Sequence, residues 1–161
     1  MTPLPDSVRI IATTPPRWLV AAETALLLAA PFVYWRMPHD FGSDGYLRLE
    51  ATRYLAHGEL LETPYSLMMS IVALPVYLFG DILAQFNVFV LFSGLAAWAA
   101  ILWRHVPVTI LRRAALIVLA CSMFGHHSQS FFGDVLTAMC VTVGLALIVI
   151  RHATLGHSEL P

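Results

Sequence analysis

Long apolar runs, separated by short polar stretches, dominate the chain. A helix needs roughly twenty mostly apolar residues to cross a bilayer core about 30 Å thick. Most of the apolar runs approach that length, and no polar region is large enough for a soluble domain. The pattern therefore predicts an all-α, polytopic membrane protein. Its apolar segments lie at about 18–37, 65–80, 82–103, 110–125 and 133–151.

The segment 65–80 differs from the others. It has only about sixteen residues and contains Pro75. If it crossed the membrane, the arginines of 104–113 would lie on the side opposite Arg9 and Arg17. If it lies along the interface, four helices cross and these arginines collect on one side, as the positive-inside rule requires. We therefore expect four transmembrane helices, both termini in the cytoplasm and two external loops, with five spans as the alternative.

The first external loop, 38–63, has the pattern of a short helix. Ser43 is a candidate N-cap, Asp44 suits the positive end of a helix dipole, and Gly58 suits a helix stop. Apolar side chains recur at helical spacing between them. We predict an amphipathic helix in the interface plane, followed by 65–80 as a second interfacial helix. The expected apolar face consists of Leu47, Ala51, Tyr54 and Leu55.

Composition supports a membrane protein and excludes some functions. The chain is 58% hydrophobic and 12% charged, whereas soluble domains are about a quarter charged. Its net charge of −1 gives no sign of nucleic-acid binding. Cys121 and Cys140 both lie in apolar runs, so we expect buried free thiols and not a disulfide. We divide the chain into a disordered cytoplasmic N-terminus (1–17), a membrane domain (18–151) and a cytoplasmic tail (152–161).

Asp44 is the leading candidate for chemistry. A carboxylate just outside the bilayer can accept a proton from a hydroxyl group or bind a divalent cation. Arg48 or Arg53 could hold the phosphate of a lipid-linked substrate. The alternative remains that Asp44 only complements the helix dipole and that both arginines are solvated.

Asp134 opens the last helix on the same predicted side as Asp44. It is either a dipole partner or a second site residue that shares a cation or positions a substrate. His126 and His127 precede it in the second external loop. Zinc takes three or four N, S or O ligands, and His126, His127, Asp134 and Asp44 could supply them. The alternative is that the two histidines only solvate a turn.

Glu23 is an acid inside the first span. Such residues are costly in a membrane and suggest a functional site by default. Here Arg17 lies six residues away, so we favour a helix-packing role or pairing with an arginine. A small transporter or channel would need polar residues along several spans, and the spans are otherwise nearly all apolar.

The order of these elements resembles the N-terminal half of the GT-C superfamily of membrane glycosyltransferases. The likeness is greatest to the bacterial family similar to protein mannosyltransferases and aminoarabinose transferase (glycosyltransferase family 39-like), and it covers about 18–151. Its motifs are an acid opening an amphipathic helix, a second interfacial helix ending in Phe-Gly, and an acid at the start of a later span. The corresponding stretches are Asp44-Gly45-Tyr46-Leu47-Arg48 to Gly58, Pro64-Tyr65-Ser66 to Leu78-Phe79-Gly80, and Ser130-Phe131-Phe132-Gly133-Asp134.

The resemblance implies a function. Asp44 would be the catalytic base or the organiser of a metal site, and Asp134 its helper. Tyr46, Arg48 and Arg53 would bind the substrate and its phosphate. The donor would be a sugar on polyprenyl phosphate, transferred with inversion on the extracytoplasmic side of a bacterial inner membrane. A divalent cation is an optional cofactor.

Two departures from the family pattern affect that expectation. Gly45 follows Asp44 where the family often has a second acid, which leaves fewer ligands for a metal. Family members also carry further spans that complete the donor pocket. We therefore expect a lone chain to be incomplete. It would be a truncated gene, one half of a split enzyme whose second membrane subunit supplies the missing helices, or a remnant with a different role. The alternative function is a non-catalytic small subunit or scaffold of a membrane complex.

Overall fold

The computed structural model describes residues 15–39, 42–65, 67–79, 82–131 and 133–156, and within these ranges it contains helices and no strands. The predicted all-α fold is confirmed. A 3₁₀ turn, Leu83–Gln85, leads directly into the fourth helix. The helices are α1 (Arg17–Arg36), α2 (Ser43–Ala56), α3 (Met68–Leu78), α4 (Phe86–Leu102), α5 (Val108–Cys121), α6 (Phe124–His127) and α7 (Gly133–Gly156).

Within the described residues, three helical stretches are long and apolar enough to cross a membrane: Arg17–Arg36, Leu83–Leu102 and Gly133–His152. Each has 20 residues, which at 1.5 Å per residue gives about 30 Å, the thickness of a bilayer core. The chain is therefore an integral membrane protein. The fourth predicted span is the 14-residue helix α5, about 21 Å long and with two arginines near its start.

A serine ends α5 earlier than the apolar pattern suggested. Ser122 has extended backbone angles (φ −102°, ψ 165°), which stop the helix after Cys121. The Ser122 hydroxyl then accepts a hydrogen bond from the Phe124 N–H at 3.2 Å, at the start of α6. Local capping therefore divides the predicted segment 110–125 into α5 and the beginning of a one-turn helix.

Helices α1 and α5 run parallel. Glu23 and Arg112, near the start of each helix, form an ion pair, and the Tyr34 hydroxyl near the end of α1 donates to the Leu119 carbonyl at 2.9 Å. Helix α4 runs the other way, because the Tyr34 ring packs edge-on against Phe92 near the start of α4. We call the end where α1 finishes the loop end, and the other the opposite end.

Helix α7 starts at the loop end and runs parallel to α4. Phe131, just before α7, packs against Phe86 at the start of α4, and Met139 lies against Gly94 one to two turns later. A side chain at position 94 would clash, since a Cβ there would stand 2.7 Å from the Met139 sulfur. The glycine thus allows the close contact of the two helices.

Helices α2 and α3 pack together at the loop end. Helix α3 has 11 residues, or about 16 Å, which is half of a bilayer core, so this helix alone does not cross. The observed arrangement agrees with an interfacial 65–80 segment. The buried cluster that holds α2 and α3 to the bundle consists of Leu49, Met69, Ala73, Leu83, Phe86 and Phe131.

The sequence predicted the end of α2 correctly, but it predicted only part of the face that α2 buries against the bundle. Gly58 adopts φ +79° and follows the helix, and the Glu59 N–H donates to the Tyr54 carbonyl at 2.9 Å, which closes the last turn. Of the predicted apolar face, Ala51 is buried, but Leu47 and Tyr54 are 39% and 40% exposed. The buried stripe is instead Gly45, Leu49, Ala51 and Thr52.

Glycine explains this rotation of α2. A Cβ on Gly45 would stand 3.3 Å from the Phe131 backbone nitrogen, so the bare backbone of α2 approaches the chain just before α7. Leu47 and Tyr54 consequently face outward, where they can contact lipid at the interface.

Most of the surface of the three spans also faces outward. Only 11%, 28% and 17% of the residues in the three apolar windows are buried within the chain. Cys121 and Cys140 are free thiols, as predicted, but they are exposed on the outer surface and not buried. Helix α7 continues to Gly156, past the predicted boundary at 151, and residues 1–14 of the predicted N-terminal segment lie outside the described residues.

Candidate functional site

Asp44 lies in the first turn of α2, with its side chain exposed. Its carboxylate accepts a hydrogen bond from the Tyr65 hydroxyl. This bond raises the pKa of the Tyr65 phenol above its usual value, because a phenolate beside the carboxylate would lose the bond and be repelled. Burial acts in the same direction. A tyrosine that the sequence analysis did not assign to the site thus positions the leading candidate acid.

Arg48 belongs to the same group. It follows Asp44 by one helical turn, so both side chains lie on one face of α2. Its guanidinium carbon lies 4.5 Å from the centre of the Tyr65 ring, a cation–π contact. Its positive charge partly offsets the effect of Asp44 on the pKa of Tyr65.

Arg48 also reaches the chain at the start of α7. Its Nη1 lies 3.1 Å from the point where a Cβ on Gly133 would stand, so the glycine makes room for the guanidinium. Gly133 immediately precedes Asp134, and Gly45 packs on Phe131, two residues before Gly133. The fold therefore brings the two candidate acids, from distant parts of the sequence, to the same end of the bundle.

Asp134 has a separate partner. Its Oδ2 lies 3.2 Å from the His127 Nδ1, an ion pair when the imidazole is protonated. The Asp134 side chain is 69% exposed and that of His127 is 24% exposed. A mostly apolar cavity of about 210 Å³ adjoins both side chains, and its wall includes Phe124 and Ala138. We call Asp44, Arg48, Tyr65, His127 and Asp134 the loop-end cluster.

Asn87 holds the loop that carries His127. This buried side chain donates from Nδ2 to the carbonyls of His127 at 3.1 Å and Ser130 at 2.5 Å. Ser128, also buried, donates to the Gly125 carbonyl at 3.1 Å. The sequence signal for Asn87 is an amide at the start of an otherwise apolar span, which the sequence analysis did not use.

The predicted metal ligands do not converge on one point. His126 and His127 lie in the one-turn helix α6 and not in an irregular loop, with their rings edge to face and 5.7 Å apart. Across the described part of the chain, no three His, Cys, Asp or Glu side chains come close enough to hold a metal ion. His127 and Asp134 offer two ligands, and the divalent cation stays a prediction.

Arg53 and Tyr46 lie elsewhere on α2. Arg53 forms an ion pair with Glu50 at 2.6 Å and is about 140° around the helix from Arg48. Tyr46 is 51% exposed and about 200° from Asp44. The face of α2 that carries Asp44 and Arg48 therefore includes neither of them.

Glu23 is paired with arginine, as favoured from the sequence, but its partners are on α5. Its two carboxylate oxygens lie 2.6 Å from Arg112 Nε and 2.9 Å from Arg113 Nε. Glu23 and Arg112 are both about 90% buried. The nearby Arg17, considered from its spacing along the sequence, is not the partner observed.

Comparisons with family models, curated proteins and solved structures gave no match. The glycosyltransferase resemblance therefore stays a prediction, and functional inference depends on the geometry of the loop-end cluster.

Proposed function

We propose that this chain forms the first-loop part of a membrane glycosyltransferase that moves a sugar from polyprenyl phosphate to an acceptor hydroxyl. One observation supports this most: Asp44 and Asp134 lie at one end of the bundle, and Arg48 extends from beside Asp44 to the residue before Asp134. Acids and an arginine at a membrane surface suit a hydroxyl acceptor and a phosphate leaving group.

In the proposed reaction, the Asp44 carboxylate takes the proton of the acceptor hydroxyl. The acceptor oxygen attacks the anomeric carbon, the bond from that carbon to the phosphate oxygen breaks, and the lipid phosphate leaves with the electron pair. Arg48 stabilises the charge on that phosphate. Tyr65 orients Asp44. Asp134, at the start of α7, and His127, in α6, position the substrate.

We place the protein in a bacterial inner membrane with both termini in the cytoplasm. The opposite end of the bundle carries more arginines than the loop end, which supports this orientation by the positive-inside rule. The arginines toward the opposite end are Arg17, Arg104, Arg112, Arg113 and Arg151, and those at the loop end are Arg36, Arg48 and Arg53.

A transfer assay tests the proposal. Membrane vesicles containing the chain receive a polyprenyl-phosphate sugar labelled in the sugar, and loss of label from the lipid is followed. We expect D44N to lower the rate by a factor of about 10²–10⁴, the usual contribution of a general base. The matched control is E59Q, which removes an exposed carboxylate from the same loop, outside the cluster.

Binding is measured beside transfer, because a second subunit is expected to be needed for turnover. Native mass spectrometry of the purified chain shows whether polyprenyl phosphate is retained. If the wild-type chain neither transfers sugar nor retains this lipid above a neutral polyprenol, the proposal is wrong. Equal sugar-transfer rates for D44N and E59Q would show that Asp44 is not the base.

A second candidate function is a non-catalytic subunit of a larger membrane complex. It is favoured by the low burial of the three spans, which leaves most of their apolar surface for lipid or for other helices. Cross-linking in intact membranes tests it. Reproducible coupling to one larger membrane protein, together with a D44N variant that behaves as wild type, would favour this function over the transferase.

A further inference from the structure

A groove between α1 and α4 opens on the membrane-facing surface near the loop end. It consists of two adjoining cavities of about 300 and 470 Å³ that share Pro31, Trp35 and Phe89 in their walls. Trp35 and Phe89 pack edge to face at 5.9 Å between ring centres and so join the two helices. Phe32 and Phe89 in its walls are largely exposed, so the groove lies on the outside of the bundle, and none of the loop-end cluster residues lines it.

The walls of the groove offer hydrocarbon and little else. Leu28 and Phe32 on α1 are 76% and 65% exposed, and Phe89, which is 52% exposed, lines the same cavity from α4. The Ser93 hydroxyl at the edge already donates to the Val90 carbonyl at 3.2 Å. An apolar chain satisfies such a surface, whereas a polar ligand would lose hydrogen bonds to water.

One end of the groove is positively charged. Arg36, the last residue of α1, lines the wider cavity and is exposed. Its guanidinium carbon lies 5.1 Å from the centre of the Phe32 ring, which places the charge beside the apolar wall of the groove. No carboxylate in the described ranges forms an ion pair with Arg36. The charge is thus available to an anion outside the protein.

We propose that the groove binds an anionic glycerophospholipid, with one acyl chain between α1 and α4 and the phosphate at Arg36. From Leu28 to Arg36 the groove is about 12 Å long, close to the thickness of one leaflet of the hydrocarbon core. Its apolar length and single terminal cation match the layout of such a lipid. This inference does not depend on the proposed transferase activity.

Trp35 provides the probe. The test uses the full chain with Trp18, Trp98 and Trp103 replaced by Phe, reconstituted in vesicles. Brominated phosphatidylcholine quenches Trp35 fluorescence, and unbrominated phosphatidylglycerol and phosphatidylcholine are each added as competitors that relieve the quenching. We expect phosphatidylglycerol to be preferred by about fivefold, the usual effect of one arginine near an anionic headgroup. In R36Q the ratio of phosphatidylglycerol binding to phosphatidylcholine binding should fall to about one.

The matched control is R104Q at the opposite end of the bundle. In the native chain Arg104 also stacks on an aromatic ring, that of Trp103 at 5.3 Å, and W103F keeps a ring at that position. Arg104 lies at the opposite end of the bundle from the groove. R104Q and R36K should keep the preference for phosphatidylglycerol. Quenching by brominated phosphatidylcholine alone should be equal in all variants, because the groove itself is unchanged. A preference that survives in R36Q, or none in the parent chain, would overturn the proposal.

Discussion

The two ends of the bundle each hold an acid with arginine nearby, yet their surroundings are opposite. At the opposite end, Glu23 is buried and both of its oxygens are bound by guanidinium groups of α5. At the loop end, the Asp44 side chain is exposed and accepts a hydrogen bond from the neutral Tyr65 hydroxyl. One carboxylate is enclosed, and the other is open to a substrate.

This difference separates a packing role from a chemical one. Two charged hydrogen bonds satisfy Glu23, and a carboxylate held in this way is a poor base. It joins α1 to α5, and α5 is the shortest of the helices predicted to span. The Asp44 carboxylate is exposed, so a substrate hydroxyl or a cation can approach it. The ion pair thus joins two helices of the fold, and the loop-end cluster stays the candidate functional site.

The largest effect on donor retention should follow from changing Arg48. Charge-assisted hydrogen bonds to phosphate contribute about 1.5–3 kcal/mol, so R48Q should weaken retention of polyprenyl phosphate roughly 10- to 100-fold. Native mass spectrometry against a neutral polyprenol measures this. R53Q, on another face of α2, should change retention little. If R53Q weakens retention as much as R48Q, the two faces of α2 are not distinct in function.

Glu23 should affect stability and not substrate binding. E23Q leaves the buried Arg112 without its carboxylate, so it should give the largest fall in melting temperature among these variants, while donor retention stays unchanged. The double variant E23Q/R112Q should regain part of the loss, because it removes the uncompensated charge. If E23Q retained less donor than the wild type at temperatures where it remains folded, Glu23 would also affect substrate binding, and the two ends would not differ in role.

Gly133 should have a smaller effect. In G133A the new Cβ would stand 3.1 Å from the Arg48 guanidinium, which must move by a few tenths of an ångström. Because the end of a flexible side chain can move, we expect a low cost of about 1 kcal/mol, or roughly fivefold in donor retention. G144A is the matched control, since nothing lies within 4 Å of a Cβ there on the same helix. Equal effects of the two variants would argue against a specific contact with Arg48.

The smallest effect concerns the ionisation of Tyr65. Its pKa is raised in the folded chain, so folding retains a proton that the unfolded chain releases. The resulting stability is complete below pH about 10 and is lost as pH rises from there through the folded pKa. In D44A the pKa should fall towards its usual value. Phenolate absorbance during an alkaline titration measures this pKa, and the signal that is lost in Y65F is the one from Tyr65. A titration of Tyr65 that is the same in D44A as in the wild type would contradict the hydrogen bond.

Much of the fold was predictable because it depends on local pattern. The spans follow from runs of about twenty apolar residues, and the end of α2 follows from Gly58, whose positive φ suits glycine. The arginine pairing of Glu23 was expected because a buried acid needs a partner. Its identity was not predictable, since Arg112 and Arg113 are distant in sequence and only helix packing brings them near.

The sequence by itself determined an all-α membrane protein, the placement of Asp44 and Asp134 at the starts of helices, and the side of the membrane on which we expect them. Tertiary structure decided which face of α2 is buried, because Gly45 allows a close approach to Phe131. It also decided that Tyr65 and Arg48 surround Asp44 while Arg53 does not. Local pattern fixes helix length and ends through hydrogen bonding and solvation, but contacts between distant segments depend on how helix surfaces fit together.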